Sequence, residues 1–353
     1  MMIQVDIIKE KNELNMLKQE WNALVENSIK NSVFLQYSWI TSITNSYDPS
    51  ILIIIAKEDN KIKGILPLQI TKDHNLEFIT CDTTTINDFI YNNSYEIIEA
   101  ILDKVFALKW WKTLFLTKIP QDSQSIVHLK EYLTKKRINF RVSELKCPQL
   151  KIDKSWEDFK ASKTERFRKM IRYISNKAEK LGVNVELNKE NKECLFEDFL
   201  EVSSDSWLAK EGHTLINEEQ KKELYRQLFE IASKNKWLYA WILRKGNEPI
   251  AVEFDLKFNN ELYALMSAYK EKYKSNSPGT YLHSQIVKHC FDNGFKLYDM
   301  GPGLNQYKIG WTENLRSLNE FQIFNNGMKS KIKYRFIHLK GFLKNKIKWI
   351  IKN

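Results

Sequence analysis

No acidic residue occurs between Phe321 and Asn353, while nine Lys and Arg lie there, beginning at Lys329. The whole chain carries 55 Lys and Arg against 44 Asp and Glu, a net charge of +11. Without that stretch the balance is 46 against 44, or +2. A body so close to neutral lacks the clustered basic face of a nucleic-acid clamp. Long hydrophobic runs are also missing. The longest aliphatic run, Ile51 to Ala56, has strand length and falls far short of the roughly 20 residues of a membrane span. The opening MMIQVDIIKEKNEL has no apolar leader, so no secretory signal is expected. Cysteine is scarce and dispersed, at Cys81, Cys147, Cys194 and Cys290, with no Cys-x-x-Cys or Cys/His spacing. That excludes a recognisable zinc or dithiol motif and fits reduced thiols filling a cytoplasmic core. What the sequence does have is 43% hydrophobic and 12% aromatic residues over 353 positions, enough for one large or two ordinary folded domains.

Two stretches follow the same order of patterns. Amphipathic segments at Lys11–Glu26 and Phe34–Thr44 precede a β-rich meander, Ile51–Thr80, with turn residues at Asp59-Asn60 and Asp73-His74-Asn75. A helix near Tyr95–Leu108 and a strand at Thr113–Thr117 follow. In the second half, helical patterns at Glu193–Trp207 and Asn217–Lys234 precede a meander, Lys236–Tyr269, with turns at Gly246-Asn247 and Asn259-Asn260. A helix at Pro278–Asn293 and a strand at Lys296–Met300 close the unit. The shared order points to a tandem α/β repeat. Between the halves, Ser155–Leu181 reads as one basic helix, with Ser155 as N-cap and Gly182 as its stop. Most of its charges suit a solvated face. Arg168 and Arg172, at i and i+4, can also clamp a diphosphate.

Chemistry concentrates in Ala268–Trp311. Ser277 suits an N-cap, Pro278 a first helical position, and Gly279 with Thr280 a close backbone approach to an anion at the helix N-terminus. An ordinary capped helix start explains these residues equally well. Asp299-Met300-Gly301-Pro302-Gly303 then ends a strand, where α/β sheets bind ligands, and Tyr307, Lys308 and Trp311 follow at short offsets. Trp311 reads as core.

The spaced pattern Ser277-Pro278-Gly279, Leu282, Ile286, Asp299, Gly301, Gly303, Tyr307-Lys308 and Trp311 resembles the FemAB-like type of GNAT-fold acyltransferases. Within that type it is similar to the branch labelled CelD/BcsL, associated with exopolysaccharide and cellulose biosynthesis. Phe34–Trp39, Ser155–Phe159 with the basic helix, Ser206-Trp207 and the Pro249–Ala251 strand fit the same branch. The resemblance implies two GNAT-like halves, 1–150 and 151–326, followed by a basic tail helix at 327–353. It implies an acyl-CoA co-substrate, acetyl-CoA first among them, and no metal. Its pantetheine arm would enter between Glu261–Tyr269 and Asp299–Gly303, with its pyrophosphate on Ser277–Thr280. That loop carries a single glycine, Gly279, where most acyl-CoA-binding GNATs carry more. An aminoacyl-tRNA donor acting on a peptidoglycan precursor is therefore the alternative.

Transfer to an amine needs a base, and Glu253, Asp299 and His283 are the candidates. Strand alternation leaves open which face Glu253 takes. Tyr307 is the candidate acid for the leaving thiolate. Lys308, Arg168, Arg172, His213 and Trp207 are the substrate-side candidates, and the expected acceptor is an amino sugar or nucleotide sugar. In the tail, Ile332, Phe336, Leu339, Leu343, Ile347 and Ile350 form a helix-period stripe among basic residues. Three readings stay open for it: packing on the body, peripheral contact with an anionic membrane on its cytoplasmic side, or nucleic acid.

Overall fold

The structure, a computed structural model, describes residues 3–187, 192–206 and 218–325. The tail at 327–353 and the candidates Trp207 and His213 lie outside these residues. The first half runs β1 (Ile3–Ile8), α1 (Lys18–Glu26), α2 (Tyr37–Tyr47), β2 (Ser50–Glu58), β3 (Lys61–Ile70), β4 (Leu76–Phe78), β5 (Ile90–Tyr91), α3 (Tyr95–Ala107), β6 (Thr113–Pro120), α4 (Gln124–Lys135) and β7 (Phe140–Lys151). The second runs α5 (Trp156–Ser162), α6 (Glu165–Leu181), β8 (Val183–Leu187), α7 (Lys192–Ser204), α8 (Glu219–Lys234), β9 (Leu238–Lys245), β10 (Glu248–Phe258), β11 (Glu261–Tyr269), α9 (Pro278–Asp292), β12 (Leu297–Asp299), α10 (Gln306–Trp311) and β13 (Leu315–Phe324).

The repeat expected from the sequence is present. Both meanders turn through paired residues at positive φ, Asp59-Asn60 and Asn259-Asn260, as tight hairpins require. Each half ends in a parallel pair, β4 with β6 and β11 with β12. The strand order is β1-β2-β3-β4-β6-β13-β7-β12-β11-β10-β9-β8, with β5 beside β3. The middle of that order departs from a simple tandem. β13, from the end of the described chain, pairs with β6 of the first half, while β7 of the first half pairs with β12 of the second. The two halves therefore exchange their last strands, and β13 and β7 pair along the exchange seam.

Burial explains the hydrophobic runs. In β2, Ile51, Ile53 and Ile55 enter one core, shared with α1, α2, α7 and α8, and Leu52, Ile54 and Ala56 enter another under α3 and α4. The first of these cores crosses between the halves, where Phe34 meets Tyr263 edge to face at 5.4 Å. A third core under α5, α6 and α9 holds Trp156, Phe159, Phe167 and Trp311. On β3, a Cβ at Gly64 would lie 2.3 Å from Ile97 Cγ2, so α3 sits close enough to require glycine.

The basic segment differs from the single helix expected. It breaks at Lys163, where the backbone is extended. Thr164 then starts α6 afresh by accepting a hydrogen bond from the Phe167 amide. Ser155 caps α5, and Gly182 closes α6 at φ +67, both as read from the sequence. β7, β8, β13 and α4 are additions to the expected elements, and β6 runs on to Pro120.

Candidate functional site

β11 and β12 pair only through Glu261–Tyr263 and Leu297–Asp299. Beyond that point β11 continues to Tyr269, carrying a bulge opposite Phe254/Asp255. The chain after Asp299 turns away through Gly301 at φ +72 and Gly303 at φ +100. The parting strands open a cleft of about 830 Å³. Ala264–Tyr269 form one wall, Met300–Pro302 with Asn305, Tyr307 and Lys308 the other, and Gly279-Thr280 the start of α9. Glu253 and His283 also line it, and Asp82, Thr83 and Thr85 reach in from the first half.

β10 is covered on both faces. Val252, Phe254 and Leu256 point into the core shared with α7 and α8. Glu253 and Asp255 thereby fall on the opposite face, both buried. Glu253 accepts a hydrogen bond from the Tyr298 hydroxyl, and His283 Nδ1 lies 3.6 Å from its Oε1. Burial first, and the Glu253 charge second, hold the Asp255 carboxyl well above the ordinary carboxylate range. The same burial and the same two acids raise the Cys290 thiol and the Tyr298 hydroxyl. Tyr307 sits edge-on to His283 at 5.3 Å and is 43% exposed. Burial lowers the Lys308 ammonium, which donates to Pro302 O at 3.1 Å.

Asp299 has a different setting from the one expected of a base. It is fully buried, ion-paired with Arg316 at 2.5 Å, accepts from Gln149 Nε2 at 3.0 Å, and takes the Gly301 amide at 2.9 Å. It stands behind the cleft and fixes the strand end. Ser277 also departs from expectation. Its backbone is left-handed, at φ 55, and its side chain makes no cap bond. Pro278 holds the first helical position as read. The space freed by Gly279 is occupied by the Tyr269 ring, 3.1 Å from where a Cβ would sit, so its glycine serves packing as well as any ligand. Arg168 donates to the carbonyls of Ala161 and Lys163 at the helix break, and Arg172 is exposed. Neither lines the cleft. Lys177 of the same helix does reach the start of α9, bonding the Ser275 carbonyl just ahead of it. His283, with Thr85 and Asp82, completes the cleft. The signal for His283 was its place one turn into α9, on the face that carries Leu282 and Ile286 into the core.

Residues 165–309 match the family model described as an acetyltransferase (GNAT) domain. Over nearly its whole length the fold is similar to FemX, with a TM-score of 0.63 at 14% identity, covering 94% of this chain and 99% of that one. It is also similar to a C-terminal domain assigned to lysylphosphatidylglycerol synthetase from Agrobacterium fabrum (TM-score 0.57, 10% identity, 90% and 95% covered). A tandem GNAT protein from the clavulanic acid biosynthesis pathway gives 0.52 at 9% identity, covering 91% and 98%. No curated protein matches the sequence. The fold is thus a tandem of two GNAT-like halves with a FemAB-like likeness. The chain is an acyltransferase, and its GNAT domain implies an acyl-CoA co-substrate. No group of side chains able to hold a metal ion occurs among the described residues.

Proposed function

We propose that the protein moves an acyl group, acetyl first among candidates, from acyl-CoA to the amine of an amino sugar or nucleotide sugar. The product would serve an envelope or extracellular polysaccharide, and the reaction would take place on the cytoplasmic side. The observation that supports this most is the position of Glu253, a buried carboxylate on the wall of the same cleft that opens between β11 and β12.

The gap between the strands suits a pantetheine arm. The free amides at the start of α9, beside Lys177, suit its pyrophosphate. The acceptor nitrogen attacks the thioester carbonyl carbon, so it must give up a proton, and Glu253 takes it. The Tyr298 hydroxyl orients that carboxylate. Asp255 lies two residues along the same face, its carboxyl held well above the ordinary carboxylate range by burial and by the Glu253 charge. As the carbon–sulfur bond breaks, Tyr307 donates its proton to the thiolate. Lys308 braces the Gly301–Pro302 turn against the reacting carbonyl.

The test is release of free CoA thiol from acetyl-CoA in the presence of D-glucosamine. Glu253→Gln is expected to lower kcat by about 10²–10⁴-fold, with acetyl-CoA binding retained. Full turnover in that variant would remove Glu253 from the chemistry, and full turnover in Tyr307→Phe would remove the tyrosine. The likeness to FemX over the whole chain supports the second reading, aminoacyl-tRNA-dependent transfer to a peptidoglycan precursor. Transfer from charged tRNA with no use of acetyl-CoA would decide for it. The basic stripe at 329–352 supports peripheral contact with an anionic membrane. Equal, negligible liposome binding by the full chain and by 1–326 would remove that part.

A further inference from the structure

Three turns of the first half meet around the end of β13. Phe324 N donates to Asn139 O at 3.0 Å, and Asn325 N donates to Lys112 O at 3.2 Å. The Asn325 side chain donates to Trp111 O at 2.8 Å, and the Lys112 amide donates to His74 O at 2.9 Å. These bonds gather the turns that precede β4, β6 and β7 at one end of the sheet. The acid-free stretch of the sequence continues from Asn325, and its first lysine is Lys329. Four residues span at most about 14 Å, so the charge of that stretch begins beside these turns.

The turns are basic in their own right. Lys135 and Lys136 are paired with Glu99 and Asp103, each at 2.9 Å. Lys72, Lys109, Lys112, Arg137 and Arg141 stand exposed and outnumber the acids Asp73 and Glu131 beside them. Two adjacent tryptophans on the turn before β6 behave differently. Trp111 is buried, and its indole donates to Val105 O at 2.8 Å. Trp110 points outward and is 42% exposed. An outward tryptophan among Lys and Arg is the composition that favours a membrane–water interface, where the ring sits at headgroup level and the cations meet phosphate. These residues sit on turns and none lines the cleft, which suits a flat partner better than a strand held in a groove.

We propose that this end of the first half docks on an anionic lipid surface, with Trp110 entering the headgroup layer and Lys109, Lys112 and Arg137 meeting lipid phosphates. The inference rests on the membrane contact proposed above and extends it from the tail to the folded body. It also gives the body an orientation. β12 runs antiparallel to β7, so the chain beyond Asp299 heads toward the end where β7 starts. The cleft then opens toward the lipid rather than away from it.

The test sediments the full chain with phosphatidylcholine vesicles, with and without phosphatidylglycerol. Binding is expected only where the anionic lipid is present. The double variant Lys109→Glu/Arg137→Glu is expected to weaken it more than tenfold, at about fivefold for each charge, and Trp110→Ala to weaken it as well. Arg166→Glu/Arg172→Glu makes the same charge change at exposed positions of α6 and is expected to change binding less than about twofold, since screening confines the effect to charges near the lipid. All three variants should keep the wild-type unfolding midpoint. Equal weakening by the two double variants, or none by the first, overturns the docking face and leaves the contact through the tail standing. If the first variant loses binding to a labelled single-stranded RNA but not to vesicles, the face serves nucleic acid and the proposal falls. A wild type that does not bind anionic vesicles overturns both.

Discussion

At the scale of single residues, the two acids singled out in the sequence prove to be opposites. Both are almost fully buried, and only their partners tell them apart. Asp299 is saturated by a cation, an amide side chain and a backbone N–H. Glu253 keeps access to the cleft. The face of Glu253 was legible in principle, because Val252, Phe254 and Leu256 leave only the alternate face for an acid. The partners of Asp299 were not, since Gln149 comes from the first half and Arg316 from β13, whose place beside β7 follows from the strand exchange. The pairing carries its own expectation. Arg316→Met leaves a buried carboxylate uncompensated and should cost about 3–5 kcal/mol, seen as a fall in the midpoint of denaturant unfolding. Replacing Asp299 by Asn in the same chain should restore much of it. An Arg316→Met variant as stable as the wild type would show that the pair contributes nothing.

At the scale of elements, turns and periodic segments were readable, and capping breaks and exchanged strands were not. The hairpins at Asp59-Asn60 and Asn259-Asn260 announce themselves by residue type. The break at Lys163-Thr164 does not, because a polar, charged stretch hides it and only the Thr164 cap reveals it. β7 escaped because it is largely exposed over Arg141–Glu144. The start of α4 holds a titrating joint. Asp88, buried against β5, accepts from Ser123 and Ser125 and from the Phe89 amide. Burial outweighs these bonds and raises its carboxyl from 3.8 to about 6. Here the folded state binds the proton more tightly than the unfolded chain. Its contribution is therefore full below about pH 4 and is lost as pH rises through about 6. Asp88→Asn removes that term. Between pH 4 and 7 the wild type should lose roughly 2–3 kcal/mol more stability than the variant. Parallel pH profiles would contradict this assignment.

At the scale of the whole molecule, the exchange of β13 and β7 ties the halves into one sheet. The core shared by α2, α8 and Tyr263 joins them again on one face. We propose that the units 1–150 and 151–326 read from the sequence are halves of one folding unit. The first alone lacks the strand that fills the place beside β6. Residues 1–150 expressed alone should be degraded rapidly by protease, and co-expression with 151–353 should restore resistance. A stable, cooperatively folded 1–150 fragment would show the halves to be independent.

Among the described residues, the second half parts its parallel strands around an open cleft. In the first, Lys118 and the loop after β4 occupy the corresponding place. We propose that the donor therefore occupies one site per chain. Titration of acetyl-CoA into the full-length protein tests this most directly. Saturable 1:1 binding is expected, competed by free CoA and retained in Glu253→Gln. No heat of binding, or two equivalent sites per chain, would contradict it.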